Sequence, residues 1–205
     1  MRKNNLKLYI SNLPEIEIDD SLHIGTGRDR ICYLLPQNKN ICIKISKSSN
    51  KQTRREVSYY KFLMTKKHDY SSISQYYGKI KTTKGRGDCF EVIRNYDGSM
   101  SMTLREAIRK KSVSIEQLNP LLRKLKNNLI INEIVARDLS PANIMLQITS
   151  KNNYQLKIID GLGNPGLNPF TIRTKCLIER SINKAWSSLT NKLKNEFQKL
   201  EARKN

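Results

Sequence analysis

The chain has 205 residues, 38% of them apolar, and four scattered cysteines, which predicts a core that needs neither disulfide bonds nor a paired-cysteine metal site. Its 38 lysine and arginine residues against 18 acidic residues give a net charge of +20, which predicts polyanionic partners. No stretch resembles a signal peptide and no run approaches the roughly 20 apolar residues that span a bilayer, so we expect a cytoplasmic protein, peripheral at most to an anionic membrane surface.

The first half of the sequence predicts a small antiparallel sheet with one helix. Short apolar or alternating runs between turn residues predict five strands, over residues 21–24, 31–35, 41–46, 78–82 and 89–93. Apolar residues at helical spacing predict a helix within residues 53–67, between the third and fourth strands. We expect this amino-terminal half to end near residue 94.

The second half predicts helices around one β-hairpin. A short helix is predicted within residues 103–111, and a longer one is predicted to begin with Asn119 as its cap and Pro120 as its first residue. Residues 135–146 predict a loop that enters a strand, and residues 155–160 predict the partner strand. A final helix is predicted from apolar residues at three- and four-residue steps between Trp186 and Leu200.

Two glycines and a lysine in the first half are candidates for contacts with nucleotide phosphates. Gly25 and Gly27 lie between two predicted strands, where the missing Cβ atoms would let backbone amides approach phosphate oxygens. An ordinary hairpin tip has the same pattern. Lys44 lies in an apolar strand and is predicted to reach the α- and β-phosphates, with a water-facing lysine as the alternative.

Glu56 lies twelve residues after Lys44 on the predicted helix and has two interpretations. It could pair with Lys44, or it could form a capping box with Thr53 at the start of its own helix. We favour the ion pair, because a buried lysine requires a partner. Glu91 and Ile93, at the end of the fifth predicted strand, complete the predicted cofactor-binding set.

The strongest motif is RDLSPANIML, in which Asp138 and Asn143 lie five residues apart in a loop that opens a hairpin. Asp160 follows seventeen residues after Asn143, at the end of the return strand. Because the ends of antiparallel neighbours meet, Asn143 and Asp160 are expected to offer oxygens to one magnesium ion. Asp138 is then available to orient an acceptor hydroxyl in phosphoryl transfer. A simple hairpin turn is the alternative for Asp160 and Gly161.

With these motifs the chain resembles the protein-kinase-like superfamily and, more closely, the bacterial YrbL family of PhoP regulatory network proteins. The resemblance runs from about residue 22 to residue 161 and rests on IGTGRDRICY, CIKI, the helix around Glu56, RDLSPANIML and IIDGLG. It implies ATP and magnesium as cofactors. It also implies that Lys44 and Glu56 form an ion pair, that Asp138 is catalytic, and that Asn143 and Asp160 bind the metal.

The resemblance implies a compact, two-lobed α+β fold within a single domain, residues 1–205. The amino-terminal lobe, residues 1–94, would carry a small antiparallel sheet, and the carboxyl-terminal lobe, residues 95–205, would be truncated and mainly helical. Only 44 residues follow Gly161, without an Ala-Pro-Glu anchor. Ala136 replaces the histidine common before Arg137 in the superfamily, and Leu162 departs from its Asp-Phe-Gly order.

These departures favour an acceptor other than a conventional peptide: a small-molecule, lipid or sugar hydroxyl, anionic or already phosphorylated, or a residue of the chain itself. Two other functions stay open. A pseudokinase would sense nucleotide and contact a regulatory protein partner, and a basic domain would bind polyanions, with nucleic acid the less favoured ligand. The charge excess is spread along the chain, so solvated surface lysines explain it equally well.

Overall fold

The computed structural model describes residues 10–48, 51–66, 68–163 and 175–202, apart from the side chains of residues 51 and 52. The chain divides into two compact units. The first unit comprises Met1–Lys61 and Ser74–Val92, and the second comprises Phe62–Ile73 and Ile93–Asn205. The described residues form a mixed α+β protein with antiparallel sheets, and none of their helices is both long and apolar enough to cross a membrane.

The first unit contains a five-stranded sheet in the order β1-β2-β3-β5-β4, and every neighbouring pair is antiparallel. Its strands are β1 (His23–Thr26), β2 (Arg30–Leu35), β3 (Asn38–Ser46), β4 (Tyr76–Thr82) and β5 (Gly85–Glu91). The helix α1 (Lys51–Leu63) follows β3, and all but its last two residues belong to this unit. The predicted five-stranded antiparallel sheet is therefore confirmed. The predicted fifth strand, residues 89–93, begins too late, because β5 begins at Gly85, whose positive φ of 113° makes a two-residue turn sufficient.

The central strand β3 is buried on both of its faces. Ile41, Ile43 and Ile45 join an apolar cluster on one face. The other face carries Cys42 and Lys44, and the aromatic ring of Phe90 lies on this side, because Cys42 and Phe90 are cross-strand partners. Lys44 shares this face with Asp88, its cross-strand partner on β5, so the layer holds charged as well as apolar side chains.

The second unit contains a three-stranded sheet in the order β6-β7-β8 and three helices among its described residues. These elements are β6 (Met102–Thr103), α2 (Leu104–Arg109), α3 (Ile115–Ile131), β7 (Ile144–Ser150), β8 (Asn153–Ile158) and α4 (Lys175–Glu201). The sequence predicted the β7–β8 hairpin and all three helices. It missed β6, whose two residues pair with Met145 and Leu146.

The start of α3 differs from the prediction. The helix begins at Ile115, with Ser114 as its cap, and Pro120 lies inside it. The Ser114 side chain accepts the Gln117 N–H while the Gln117 side chain accepts the Ser114 N–H, so the capping box satisfies two donors reciprocally. This reciprocal cap outweighs the signal from Asn119 and Pro120.

Candidate functional site

The loop that follows α3 is held against the segment that follows β8. The backbone N–H groups of Arg137 and Asp138 both donate to the carbonyl oxygen of Gly161, at 2.8 and 3.2 Å. Ala136 and Leu162 form an antiparallel bridge beside these hydrogen bonds. Residues 136–138 therefore run alongside residues 161 and 162 within the second unit.

The structure brings Asn143 and Asp160 to the same end of the β7–β8 hairpin. Ile144 and Ile158 are cross-strand partners, and the Ile159 N–H donates to the Asn143 carbonyl oxygen at 2.9 Å. Asp160 is the next residue in the chain. An antiparallel pair places the start of one strand beside the end of the other, so two oxygen-bearing side chains flank one hairpin end.

Gly161 allows the backbone at Asp138 to approach this hairpin end. A Cβ atom at position 161 would lie 2.5 Å from the Asp138 carbonyl oxygen and 3.4 Å from Asn143 Nδ2. The φ of Gly161 is also positive, at 83°. A glycine is thus required both by the close contact and by the left-handed backbone. Asp160 Oδ1 accepts the Gly161 N–H at 2.7 Å, which restrains the carboxylate in the same cluster.

Asn143 and Asp160 are the residues of this cluster that could hold a magnesium ion. Asn143 Nδ2 donates to the Asp138 carbonyl oxygen at 3.2 Å, which leaves the acceptor oxygen of the amide on its opposite side. No cluster of three or more His, Cys, Asp or Glu residues suited to a metal occurs in the described part of the chain. Magnesium is commonly held by one or two carboxylates together with substrate phosphates and water, and does not need such a cluster.

Lys192, on α4, contacts Asp138 and was not identified from the sequence. Its Nζ lies 2.8 Å from Asp138 Oδ1 and donates to the Leu139 carbonyl oxygen at 3.2 Å. The side chains of Lys192 and Asp138 are 40% and 49% exposed, so solvent screens the ion pair. Because 54 residues separate the two in sequence, no local motif could have signalled the contact.

The first unit carries the two candidate phosphate-binding glycines in the β1–β2 hairpin. The Gly27 N–H donates to the Arg30 carbonyl oxygen at 2.8 Å, and Lys47 Nζ donates to the Gly27 carbonyl oxygen at 2.8 Å. A Cβ atom at Gly25 would meet no heavy atom of the described residues within 4 Å. The described part of the chain therefore leaves space beside Gly25.

Lys44 and Glu56 are both buried in the first unit. The Glu56 carboxylate pairs with the Arg30 guanidinium group at 2.7 Å, and Lys44 Nζ lies 4.4 Å from the centroid of the Phe90 ring. The pairing of Glu56 with Lys44 stays a prediction. The capping-box alternative is wrong, because α1 begins two residues before Thr53 and that residue cannot be its cap.

The last two predicted cofactor-binding residues are Glu91, which ends β5, and Ile93, two residues further along the chain. The Glu91 side chain accepts the Gln75 N–H at 3.2 Å, and the Glu91 N–H donates to the Gln75 carbonyl oxygen at 2.9 Å. Ile93 is buried in the second unit, where its carbonyl oxygen accepts the Ser101 N–H at 2.9 Å. Their roles in cofactor binding stay predictions.

These features define an α+β protein in which a hairpin end gathers two aspartates and an asparagine around one glycine. The chain belongs to the YrbL family, since the family described as PhoP regulatory network protein YrbL matches residues 16–194. A protein of Escherichia coli (strain K12) named Uncharacterized protein YrbL is 33% identical over 177 residues, which cover 83% of this chain and 84% of that protein. The protein of the same name from Shigella flexneri matches with the same identity and coverage. The predicted family is confirmed.

Proposed function

We propose that this chain is a phosphotransferase with a protein-kinase-like fold, which uses ATP and magnesium to phosphorylate a hydroxyl group. The observation that carries this proposal is the convergence of Asp138, Asn143 and Asp160 around Gly161. Phosphoryl transfer is catalysed almost entirely by positioning and by electrostatic stabilisation. An arrangement of oxygen ligands held by backbone hydrogen bonds is therefore the part that the fold must supply.

Each residue of the cluster has a separate role in this proposal. Asn143 and Asp160 would hold the magnesium ion, which when bound supplies positive charge to phosphate oxygens. Asp138 would orient the acceptor hydroxyl and take its proton, and its half-exposed carboxylate is accessible to such a group. Lys192 would be a positioning residue, because its ion pair favours one orientation of the Asp138 side chain.

The first unit supplies the groups proposed to bind the nucleotide. Gly25 and Gly27 would let the backbone of the β1–β2 hairpin approach the phosphates, with the Gly27 N–H itself already donated to the Arg30 carbonyl oxygen, and Lys44 would contribute a cation. The buried pair of Arg30 and Glu56 supports this assignment, since it ties α1 to the strand that follows the glycines. Glu91, at the end of β5, and Ile93, two residues later, are proposed to contribute to cofactor binding.

The acceptor is proposed to be a small-molecule, lipid or sugar hydroxyl, or a residue of the chain itself. No Ala-Pro-Glu anchor follows Gly161, and this anchor belongs to the segment with which protein kinases grip peptides. The net charge of +20 supports an anionic or phosphorylated acceptor. A screen of hydroxyl acceptors with labelled ATP would identify the class.

A thermal-shift titration followed by turnover measurement tests the proposal. ATP with magnesium should raise the melting temperature, whereas neither alone should have the full effect, because a ligand that binds only the folded state stabilises it. Asp138→Asn should keep this shift but lower phosphate transfer by about 100-fold or more. Asp20→Asn, which removes an exposed carboxylate elsewhere, is the control. Equal turnover in the Asp138 and Asp20 variants would remove Asp138 from the mechanism.

A pseudokinase that responds to nucleotide is the second candidate. The ion pair between Lys192 and Asp138 favours it, because an ammonium group already occupies one oxygen of the proposed base. The family's description as a PhoP regulatory network protein also supports a regulatory role. Nucleotide binding without phosphate transfer in both the native chain and Lys192→Met would favour this candidate. Lys199→Met, at an exposed position of the same helix, is the control.

A further inference from the structure

A groove of about 630 Å³ runs between α3 and α4 in the second unit, outside the cluster around Gly161. Its apolar lining includes Ile115 and Leu122 from α3, with Trp186, Leu193 and Phe197 from α4. Ile115 is 40% exposed. A large side chain that is exposed in a concave apolar surface is typical of a binding surface more than of a solvated helix face.

Positive charge lines the same groove. Arg123, Lys126 and Lys194 are part of its wall, whereas Glu201 is its one acidic residue among those described. Lys126 Nζ lies 5.8 Å from the centroid of the Trp186 ring, so one cation is held directly over the apolar lining. The groove therefore combines an apolar floor with a cationic border.

The shape of the groove matches an α-helix. Its lining residues extend from Ile115 to Lys126 on α3 and from Trp186 to Glu201 on α4. At 1.5 Å per residue these segments are roughly 17 and 23 Å long, which corresponds to three or four helical turns. A helix laid in such a groove inserts apolar side chains at positions i, i+3, i+4 and i+7 and keeps its flanks at the border.

We propose that this groove binds an acidic amphipathic helix of a partner protein, with its apolar stripe against Trp186 and its carboxylates beside Arg123, Lys126 and Lys194. A segment of the chain itself does not fit this description. The residues outside the described ranges, at 1–9, 49–50, 67, 164–174 and 203–205, include no aspartate or glutamate. A flat membrane surface matches a concave groove less well than a helix does. This inference does not depend on phosphotransferase activity.

The fluorescence of Trp186 tests the proposal, because it is the chain's single tryptophan. The probe is a synthetic amphipathic helix of about four turns with leucines at the spacing given above and glutamates on both flanks. A second peptide has the same leucines with lysines on its flanks. The glutamate peptide should change the Trp186 emission saturably and bind at least about tenfold more tightly than the lysine peptide.

Charge reversal locates the binding surface. The double variant Lys126→Glu/Lys194→Glu should weaken binding of the glutamate peptide by about tenfold or more. The double variant Lys124→Glu/Lys199→Glu changes the net charge equally at exposed positions of the same two helices that do not line the groove, and it should bind as the native chain does. Circular dichroism and melting temperatures would establish that both double variants fold.

Three outcomes would overturn the proposal. Equal binding of the two peptides would show that charge does not select the ligand. Equal loss in both double variants would show a response to net charge alone. Binding to phosphatidylserine vesicles without binding to the glutamate peptide would identify a membrane surface in place of a protein helix. Calorimetric titration with the same peptide would check binding that leaves the tryptophan emission unchanged.

Discussion

Gly161 shows how one residue determines the geometry of several others. Its backbone carbonyl oxygen accepts hydrogen bonds from the N–H groups of Arg137 and Asp138. A Cβ atom on Gly161 would lie only 2.5 Å from the Asp138 carbonyl oxygen. A side chain at this position would push the loop away and would strain a backbone with φ of 83°. The arrangement of the three polar residues thus depends on a residue that contributes no functional group.

Gly161→Ala should lower the free energy of unfolding by at least about 2 kcal/mol, because strain and a steric clash add. Gly98→Ala is a matched control, since Gly98 has the same φ of 83° and no described residue has a heavy atom within 4 Å of its Cβ position. Gly98→Ala should lower the free energy of unfolding by only about 1 kcal/mol. Chemical denaturation measures both values. Equal losses would show that the contact with Asp138 contributes little.

The contact between Glu56 and Arg30 is a second feature at the scale of single residues, and it could not be deduced from the sequence. Arg30 and Lys44 lie on the same face of the sheet, because Arg30 opposes Ser46 and Cys32 opposes Lys44 in the register of β2 and β3. Glu56 therefore has two cations on the face that α1 covers, and it contacts Arg30 at 2.7 Å. The sequence favoured Lys44 as its partner, which stays a prediction, and it did not reveal the contact with Arg30, because strand register was not available.

At the scale of an element, α3 illustrates competition between two start signals. Ser114 and Gln117 form a capping box, while Asn119 and Pro120 form the other signal. The earlier signal determines the start because it satisfies backbone donors, whereas proline only avoids the loss of one. Pro120 then lies inside the helix, where it cannot donate a backbone hydrogen bond.

Ser114→Ala should lower the free energy of unfolding by about 1 kcal/mol, since it removes the acceptor of the Gln117 N–H. Ser188→Ala, at an exposed interior position of α4, is the control and should be neutral or slightly stabilising. Urea denaturation monitored by circular dichroism compares the variants. A neutral Ser114 variant would mean that the helix start is set by packing.

At the scale of the whole molecule, the four cysteine thiols differ in how deeply they are buried. Cys42 and Cys89 are buried in the sheet of the first unit, where burial raises the pKa of Cys42 to about 11 and the pKa of Cys89 to about 12. Cys32 is half-buried, and Cys176 is exposed on α4. The thiolate is the reactive form, so burial lowers reactivity through both access and pKa.

A thiol reagent at about pH 8 should therefore modify Cys176 rapidly and Cys32 more slowly, and it should reach Cys42 and Cys89 only after denaturation. At this pH a group with a pKa of about 11 is about one thousandth ionised. The absorbance of the group that the reagent releases follows the kinetic phases of modification, and Cys176→Ser should remove the fastest phase. Rapid modification of three or more thiols in the folded chain would contradict the buried positions.

Local sequence patterns were sufficient for the existence of the helices, for the five strands of the first unit and for the hairpin that carries Asn143 and Asp160, whereas β6 and the start of α3 were missed. Hydrophobic periodicity and turn residues act over a few positions, so they predicted a five-stranded antiparallel sheet and the succession of strands and helix along the chain. The spacing of Asp138 and Asn143 is likewise a local feature, which made this part of the candidate site recognisable.

By itself, the sequence determined the family, the α+β class and the identity of the three polar residues at the hairpin end. Only the tertiary structure decided that Arg30 contacts Glu56, that Lys192 contacts Asp138 and that α3 and α4 form a cationic groove. Such contacts join residues distant in sequence, and they depend on strand register and on helix packing, which no short motif encodes.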